Sequence, residues 1–185
     1  MEKLIPVVVI KELSETDKIL TALKNTGINC AEITFRTACA AEAIAYAAQH
    51  YPDMEIGAGT VINAAQCEAA LAAGATFVVS PGLSPAVAKI CNERNIPYYP
   101  GCVTPTEIMA ALELGITTVK FFPANIYGGQ KALKALSAPF PQVKFIPTGG
   151  VDRSNIDEFL AFDKVAAIGG SFFVKEALEK MEQGK

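Results

Sequence analysis

Apolar and polar positions along the chain repeat as one unit: a short β-rich apolar run, a Gly, Pro or Thr turn, and an alanine-rich stretch with helical spacing. The unit recurs about every 20 to 26 residues. The predicted strands are Ile5–Ile10, Cys30–Phe35, Glu55–Val61, Phe77–Ser80, Pro97–Gly101, Thr118–Phe122, Lys144–Pro147 and Val165–Gly169. Strict alternation with helices predicts a parallel sheet, and eight units favour a closed, compact (β/α)8 TIM barrel of the α/β class.

Polar residues and glycines mark where the helices are expected to begin and end. The predicted helices include Thr16–Asn25, Ala40–Gln49, Ala64–Ala73 and Pro85–Arg94. Helix starts are predicted at good capping residues, namely Ser14, Asn63, Ser84, Thr104 and Asp152. Helix ends are predicted at glycines that can adopt a left-handed conformation, namely Gly27, Gly74 and Gly115. Because no linker or low-complexity segment interrupts the repeat, a single domain over residues 1–185 is expected.

The composition argues against several classes of function. The chain has 185 residues and a net charge of -3 with no basic cluster, so no nucleic-acid partner is expected. No apolar run approaches the roughly 20 residues that span a bilayer. The N-terminus enters a strand without room for a signal peptide. Five cysteines without a CxxC pair predict a reduced, cytoplasmic protein in which Cys102 is structural.

The single histidine limits the chemistry that the chain can carry out. His50 ends a predicted helix, where we expect it to face solvent. A Ser-His-Asp triad and a multi-histidine metal site are therefore excluded. The reaction must use lysine, carboxylate and hydroxyl groups.

Lys120 lies inside the apolar, strand-like run Thr118-Val119-Lys120-Phe121-Phe122-Pro123. Burial of an ammonium without a partner is costly, which favours the neutral amine. A neutral amine in a dry pocket can attack a ketone and form a Schiff base. The alternative is a structural lysine paired with a buried carboxylate, and this segment alone leaves both interpretations open.

Strand parity brings a carboxylate towards Lys120. In the second predicted strand, Glu32, Thr34 and Arg36 share one face, and the apolar residues between them share the other. The apolar face should contact the helices, so the polar face points into the barrel. Side chains of one barrel layer come from alternate strands, so Lys120 on the sixth strand and Glu32 on the second can meet. A structural Arg36–Glu32 ion pair is the alternative.

Glycine-rich strand ends indicate an anion site. Thr148-Gly149-Gly150 and Gly169-Gly170-Ser171 each end a strand and precede a helix, where backbone N–H groups can approach a phosphate. The loops after strands seven and eight are the usual phosphate site of such barrels. After the third strand, Thr60 and Arg36 are suited to holding a carboxylate. A threonine that only caps the following helix fits the local sequence equally well.

Taken together, these segments resemble the 2-keto-3-deoxy-6-phosphogluconate (KDPG) aldolase family, whose members often also cleave 4-hydroxy-2-oxoglutarate (KHG). The resemblance extends from about Ile5 to Val174. The segments that carry it are Pro6–Ile10, Glu32–Thr37, Gly57–Val61, Ser80–Gly82, Pro100–Glu107, Val119–Ala124, Pro147–Val151 and Gly169–Ser171. The resemblance implies a cytoplasmic class I aldolase, a carbon–carbon lyase that needs no metal or cofactor. It would act on a phosphorylated 2-keto acid in the Entner-Doudoroff route of carbohydrate metabolism, as a homotrimer.

The resemblance also implies a role for each site residue. Lys120 would form the Schiff base with the C2 ketone and Glu32 would be the general acid and base. The remaining roles are carboxylate binding by Arg36 and Thr60, pocket walls from Thr148, Phe122 and Pro81, and phosphate binding by Gly149, Gly150, Gly170 and Ser171.

Three features depart from the family pattern. No helix fits ahead of the first strand, and the tail after Val174 predicts a short last helix. Asn125-Ile126-Tyr127 stands where relatives commonly carry an acidic and then small residues, which bears on substrate preference. The alternative functions are a preference for KHG, cleaved to pyruvate and glyoxylate, and an inactive barrel that serves as an assembly scaffold.

Overall fold

In the computed structural model, which describes residues 3–184, strands and helices alternate strictly along the chain. The elements are β1 (Leu4–Val8), α1 (Glu15–Asn25), β2 (Cys30–Thr34), α2 (Ala40–His50), β3 (Glu55–Gly59), α3 (Ala64–Ala72), β4 (Phe77–Val79), α4 (Pro85–Glu93), β5 (Tyr98–Tyr99), α5 (Pro105–Glu113), β6 (Thr118–Phe121), α6 (Gly129–Ser137), β7 (Lys144–Pro147), α7 (Ile156–Leu160), β8 (Ile168–Gly170) and α8 (Phe172–Glu182). The predicted alternation of strands and helices in an α/β fold is confirmed.

All paired strands are parallel, as the alternation with helices predicts. Six strands pair in the order β5-β4-β3-β2-β1-β8, and β6 pairs with β7. Isolated bridges link the two sets, with Gly101 beside Lys120 on one side and Thr148 beside Gly169 on the other. The strands therefore curl, and their carboxyl ends lie close to one another.

Two apolar clusters confirm which strand residues face the helices and which face inward. Ala31 and Ile33 of β2 belong to the large core that the strands share with the helices, as does Val119 of β6. A small second cluster fills the space enclosed by the strands and consists of Ile5, Cys30, Phe77, Val79, Ile146 and Ala167. The residues of β2 and β6 that alternate with the helix-facing ones therefore point into this enclosed space.

Three of the five predicted capping residues cap a helix. The side chains of Asn63, Ser84 and Thr104 each accept a hydrogen bond from a backbone N–H in the first turn. Ser14 makes no such bond. Ser14 nevertheless directly precedes α1, as predicted. Asp152 does not start a helix, because its carboxylate accepts the N–H of Ser154 at 2.8 Å and forms a turn that delays α7 until residue 156.

Two predictions concern the chain ends, namely a short last helix and no helix before the first strand. Helix α8 has 11 residues, as many as α1 and α2, so it is not short within this chain. The expected absence of a helix before β1 concerns residues 1–3, and the first two lie outside the described residues. No helix in the described part is long and apolar enough to cross a bilayer.

Candidate active site

The buried pair of Lys120 and Glu32 is the centre of the candidate site. Lys120 is 4% exposed and Glu32 is 2% exposed, although both are ionisable. Register places them on the inner faces of β6 and β2, and Lys120 Nζ lies 3.5 Å from Glu32 Oε1. The predicted meeting of the two side chains is confirmed. No ion pair joins Arg36 to Glu32 in the described part of the chain, so that alternative is not observed.

A glycine on the neighbouring strand makes room for the Glu32 carboxylate. Gly59 ends β3, which pairs with β2. A Cβ atom at Gly59 would overlap Oε1 of Glu32 and lie 2.6 Å from its Cγ and 2.7 Å from its Cδ. The Glu32 side chain therefore occupies the volume that any larger residue at position 59 would fill.

Lys120 faces an open cavity rather than a closed core. The cavity has a volume of about 170 Å³ and lies at the carboxyl ends of the strands. It is lined by Val7, Arg36, Lys120, Phe122, Thr148, Gly149, Gly150, Val151, Gly170 and Ser171. A structural lysine needs no such access, so the cavity favours a chemical role for the amine.

Eight of the predicted site residues line this cavity, and the other three lie elsewhere. Glu32 and Thr60 do not line the cavity but contact residues that do. Glu32 contacts Lys120, and Thr60 contacts Arg36. Pro81 lines a separate cavity of about 220 Å³ beside Gly82, Leu83 and Ser84. The structure thus does not bring Pro81 to the wall of the lysine cavity.

Two apolar lining residues escaped the sequence analysis. Val7 belongs to β1 and Val151 follows the glycine pair of β7. Both lie in segments that carry the family resemblance. The alternation of residues along β1 indicates that Val7 points inward, and this could have identified it as a lining residue.

Arg36 and Thr60 form a second contact at the rim of the cavity. Arg36 Nε donates to Thr60 Oγ1 at 2.9 Å, and the guanidinium is exposed, which leaves its other N–H groups for a ligand. Thr60 has φ 56°, a left-handed conformation that is unusual for a β-branched residue. Strain of this kind, about 1–3 kcal/mol, is typical of functional sites.

The loops after β7 and β8 present backbone to the cavity. Gly149 and Gly150 have φ of 85° and 75°, which only glycine adopts easily. The carbonyl of Gly150 accepts the side-chain N–H of Asn155 at 2.9 Å, which holds the loop. On the other side Ser171 directly precedes α8, so the first free N–H groups of that helix lie next to the cavity.

Thr148 lines the same cavity as Lys120 and directly precedes the glycine loop after β7. It is buried and its hydroxyl donates to the Ile146 carbonyl at 3.4 Å. Phe122 lies near the amine, with Lys120 Nζ 5.1 Å from the centre of its ring. Both residues line the same cavity as Lys120.

Cys102 lies beside Lys120 but is not a second nucleophile. Its N–H donates to the Lys120 carbonyl at 2.9 Å, and its thiol is fully buried. Burial, reinforced by the negative charge of Glu107, raises the pKa of the Cys102 thiol from 9.0 to about 12. This agrees with the predicted structural role.

The chain is similar to known proteins over nearly its whole length. A family model described as KDPG and KHG aldolase matches residues 1–184. The 2-dehydro-3-deoxy-phosphogluconate aldolase of Treponema pallidum (strain Nichols) is 46% identical over 172 residues, 93% of this chain and 82% of that protein. The KHG/KDPG aldolase of Escherichia coli (strain K12) is 43% identical over 176 residues, 95% of this chain and 83% of that protein.

A similar solved structure is that of the KDPG aldolase from Legionella pneumophila with pyruvate captured at low pH as a covalent carbinolamine intermediate. Its TM-score is 0.91 at 42% sequence identity. The match covers 97% of this chain and 88% of that one.

Proposed function

The chain belongs to the KDPG and KHG aldolase family, and we propose on that basis that it cleaves KDPG to pyruvate and glyceraldehyde 3-phosphate. It is an aldolase, a carbon–carbon lyase that acts through a lysine Schiff base and without a metal. The observation that carries the proposal is the buried Lys120 amine, which faces an open cavity and lies 3.5 Å from the Glu32 carboxylate.

The pair supplies the two functions that the cleavage requires. The proton shared by the pair moves to Glu32, and the neutral Lys120 amine attacks C2 of the substrate. Glu32 then returns this proton to the C2 hydroxyl, which leaves as water and gives an iminium. Glu32 accepts the proton of the C4 hydroxyl. The C3–C4 bond then breaks, its electrons enter an enamine, and the aldehyde leaves. Protonation at C3 and hydrolysis release pyruvate and restore the amine.

The remaining residues position the two ends of the substrate. Arg36 and Thr60 hold the carboxylate next to the reacting ketone, since an exposed guanidinium offers paired donors at the cavity rim. Gly149, Gly150, Gly170 and Ser171 bind the distal phosphate through backbone and hydroxyl donors. Thr148 and Phe122 line the space between the two ends.

Covalent trapping tests the nucleophile directly. The protein is incubated with pyruvate, reduced with borohydride, digested and analysed by mass spectrometry, and the reduced pyruvyl group is expected on Lys120. Lys120→Ala should give no adduct, whereas Lys89→Ala, which removes an exposed lysine from α4, should give the wild-type yield. An adduct that persists in Lys120→Ala contradicts the assignment.

A preference for KHG is the second candidate, because the relative from Escherichia coli carries both substrates in its name. KHG ends in a carboxylate and has no phosphate, so its cleavage should not depend on the phosphate donors. Measurement of kcat/KM for both substrates in wild type and Ser171→Ala separates the two candidates. A loss for KDPG alone favours the phosphorylated substrate, and a kcat/KM for KDPG that stays at the wild-type value favours KHG. A pure scaffold would show no turnover with either.

We further infer a single (β/α)8 barrel domain over residues 1–185 that works as a cytoplasmic homotrimer. Bridges on both sides of the β6–β7 pair support ring closure. The thiols of Cys39, Cys67, Cys91 and Cys102, which form no disulfide, support a reducing compartment. The trimer rests on the resemblance, together with exposed apolar side chains such as Ile62 and Met109. Light scattering at several protein concentrations tests the assembly.

A further inference from the structure

The two loops assigned to the phosphate are joined by one arginine. Arg153 lies three residues after Gly150, and its guanidinium forms a bidentate ion pair with Glu176 in the second turn of α8. Its Nε donates to Glu176 Oε1 and Oε2 at 3.1 and 3.0 Å, and a terminal nitrogen donates to Oε2 at 2.7 Å. The loop after β7 is therefore tied to the helix that follows β8.

Arg153 also packs on the aromatic side chains at the start of α8. Its guanidinium carbon lies 5.6 Å from the centre of the Phe172 ring and 5.9 Å from the centre of the Phe173 ring, within the range of a cation–π contact. A Cβ atom at Gly170 would lie 2.7 Å from a ring carbon of Phe172 and 3.2 Å from one of Phe173, so both rings lie against Gly170. The contacts of Arg153 thus extend to the strand end that carries Gly170 and Ser171.

A closed turn connects Arg153 to Gly150 on the other side. The Asn155 side chain accepts the N–H of Asp152 at 3.0 Å and donates to the Gly150 carbonyl at 2.9 Å. The Asp152 carboxylate accepts the N–H of Ser154 at 2.8 Å. Because Arg153 lies inside this turn, its position is coupled to that of Gly150.

We propose that Arg153 is a positioning residue that holds the loop after β7 and the start of α8 at the separation that a phosphate requires. This inference rests on the proposed function. Each loop supplies part of the phosphate donors, so a dianion is bound well only when the spacing between the loops is fixed beforehand. Arg153 does not line the lysine cavity and acts through the two loops.

The ion pair acts through its geometry rather than through a net charge. Hydrogen bonds from Arg153 hold the pKa of the Glu176 carboxyl below its ordinary value, and the same bonds raise the pKa of the Arg153 guanidinium. Both groups therefore stay ionised at neutral pH, and their charges largely cancel at the distance of the phosphate. Most exposed ion pairs stabilise little, but a bidentate arginine–carboxylate pair also fixes the relative position of its two partners.

The test compares Arg153→Gln with Glu176→Gln, which break the same ion pair from opposite sides. Both variants should raise KM for KDPG about 3-fold to 10-fold and leave kcat within about 2-fold, because the loops hold the phosphate equally in the ground state and the transition state. KHG has no phosphate, so its KM should change less than about 2-fold. The double variant should be no worse than either single variant, since the interaction is already lost. The exchanged pair, Arg153→Glu with Glu176→Arg, should recover part of the loss.

A direct attraction between Arg153 and the phosphate predicts a different pattern. Glu176→Gln would then leave the positive charge of Arg153 unbalanced and lower KM for KDPG, which would overturn the positioning role. An equal rise in KM for both substrates with a lower Tm would also overturn it, because that pattern indicates an ion pair that only stabilises the fold.

Two controls complete the experiment. Lys18→Gln breaks another exposed ion pair of α8, in which Lys18 Nζ lies 3.4 Å from Glu182 Oε1, and it should leave KM for both substrates unchanged. Pyruvate carries no phosphate, so borohydride trapping on Lys120 should reach the wild-type yield in Arg153→Gln. Failure of trapping in the wild-type protein would overturn the proposed function itself. Normal trapping with an unchanged KM for KDPG in Arg153→Gln would overturn only the role of Arg153.

Discussion

Substitution of Gly59 by alanine should disable Glu32 while leaving the fold intact. Gly59 is buried at the end of β3 and has an ordinary backbone conformation, so alanine introduces no dihedral strain. The added Cβ would lie 2.6 Å from Cγ of Glu32, whereas ordinary van der Waals contact begins at 3.4 Å. Cγ of Glu32 must therefore move by about 0.8 Å (from 2.6 to 3.4 Å), and the carboxylate oxygen by more, or the side chain must adopt another rotamer.

That displacement should lower kcat strongly and lower the stability of the fold moderately. The Lys120–Glu32 distance of 3.5 Å is already at the upper limit of a hydrogen bond, so a further shift separates the pair. Loss of a positioned general acid and base costs about 10²-fold to 10⁴-fold in kcat. Overpacking of a buried site costs about 1–3 kcal/mol. For a domain of this size, that corresponds to a fall in Tm of about 2–12 °C.

Steady-state kinetics, thermal unfolding and pyruvate trapping on Gly59→Ala give three independent readouts. Gly82→Ala is the matched control, since a Cβ atom at this position meets nothing within 4 Å, and both kcat and Tm should remain near wild type. A Gly59→Ala protein that unfolds at the lowered temperature yet turns over at the wild-type rate would refute the reasoning. It would show that the precise position of the Glu32 carboxylate does not limit catalysis.

Other substitutions and reagents test the rim and the surroundings of the site. Arg36→Lys should lower kcat/KM about 10-fold to 100-fold, because lysine cannot contact Thr60 and a carboxylate with the planar fork of arginine; steady-state kinetics measures this. Burial alone would raise the pKa of Glu107, but hydrogen bonds from Val103 and Thr104 outweigh it and lower that pKa below 4.5. Its contribution to stability is therefore present above about pH 4.5 and is lost as pH falls through the lower folded-state value. The Tm difference between wild type and Glu107→Gln should shrink over that range. Thiol reagents at pH 8 should modify Cys39 alone in the folded protein, because the other four cysteines are buried; peptide mapping checks this.

The central pair could be predicted because it depends on periodicity alone. A lysine in a run as apolar as that of β6 must face either the helices or the enclosed space, and the alternation of Val119 with Lys120 leaves only the second. The same alternation in β2 assigns Glu32 inward. Two even-numbered strands then contribute to the same layer, so the meeting of the side chains follows from topology.

Features that depend on local three-dimensional detail could not be predicted in the same way. Asp152 is of a residue type that often caps helices, but it lies four residues before α7 begins and its carboxylate closes a turn with Ser154. Pro81 belongs to a segment that resembles the family, yet the loop after β4 turns it into a neighbouring cavity. Sequence indicates that such residues lie near the strand ends, but the direction of each loop is decided by packing.

A common principle of construction explains why the site is rich in glycine. In three places a polar side chain occupies the volume that a Cβ atom of a neighbouring glycine would need: Glu32 at Gly59, Thr148 at Gly169, and Asn125 at Gly150. Only one of these glycines, Gly150, has a left-handed backbone, so conformational freedom is not the shared cause. The shared cause is close approach, because the carboxyl ends of parallel strands crowd together and a polar side chain fits there where an adjacent strand or loop carries no side chain. Glycines at these strand ends therefore position the polar residues next to them as well as offering backbone to an anion.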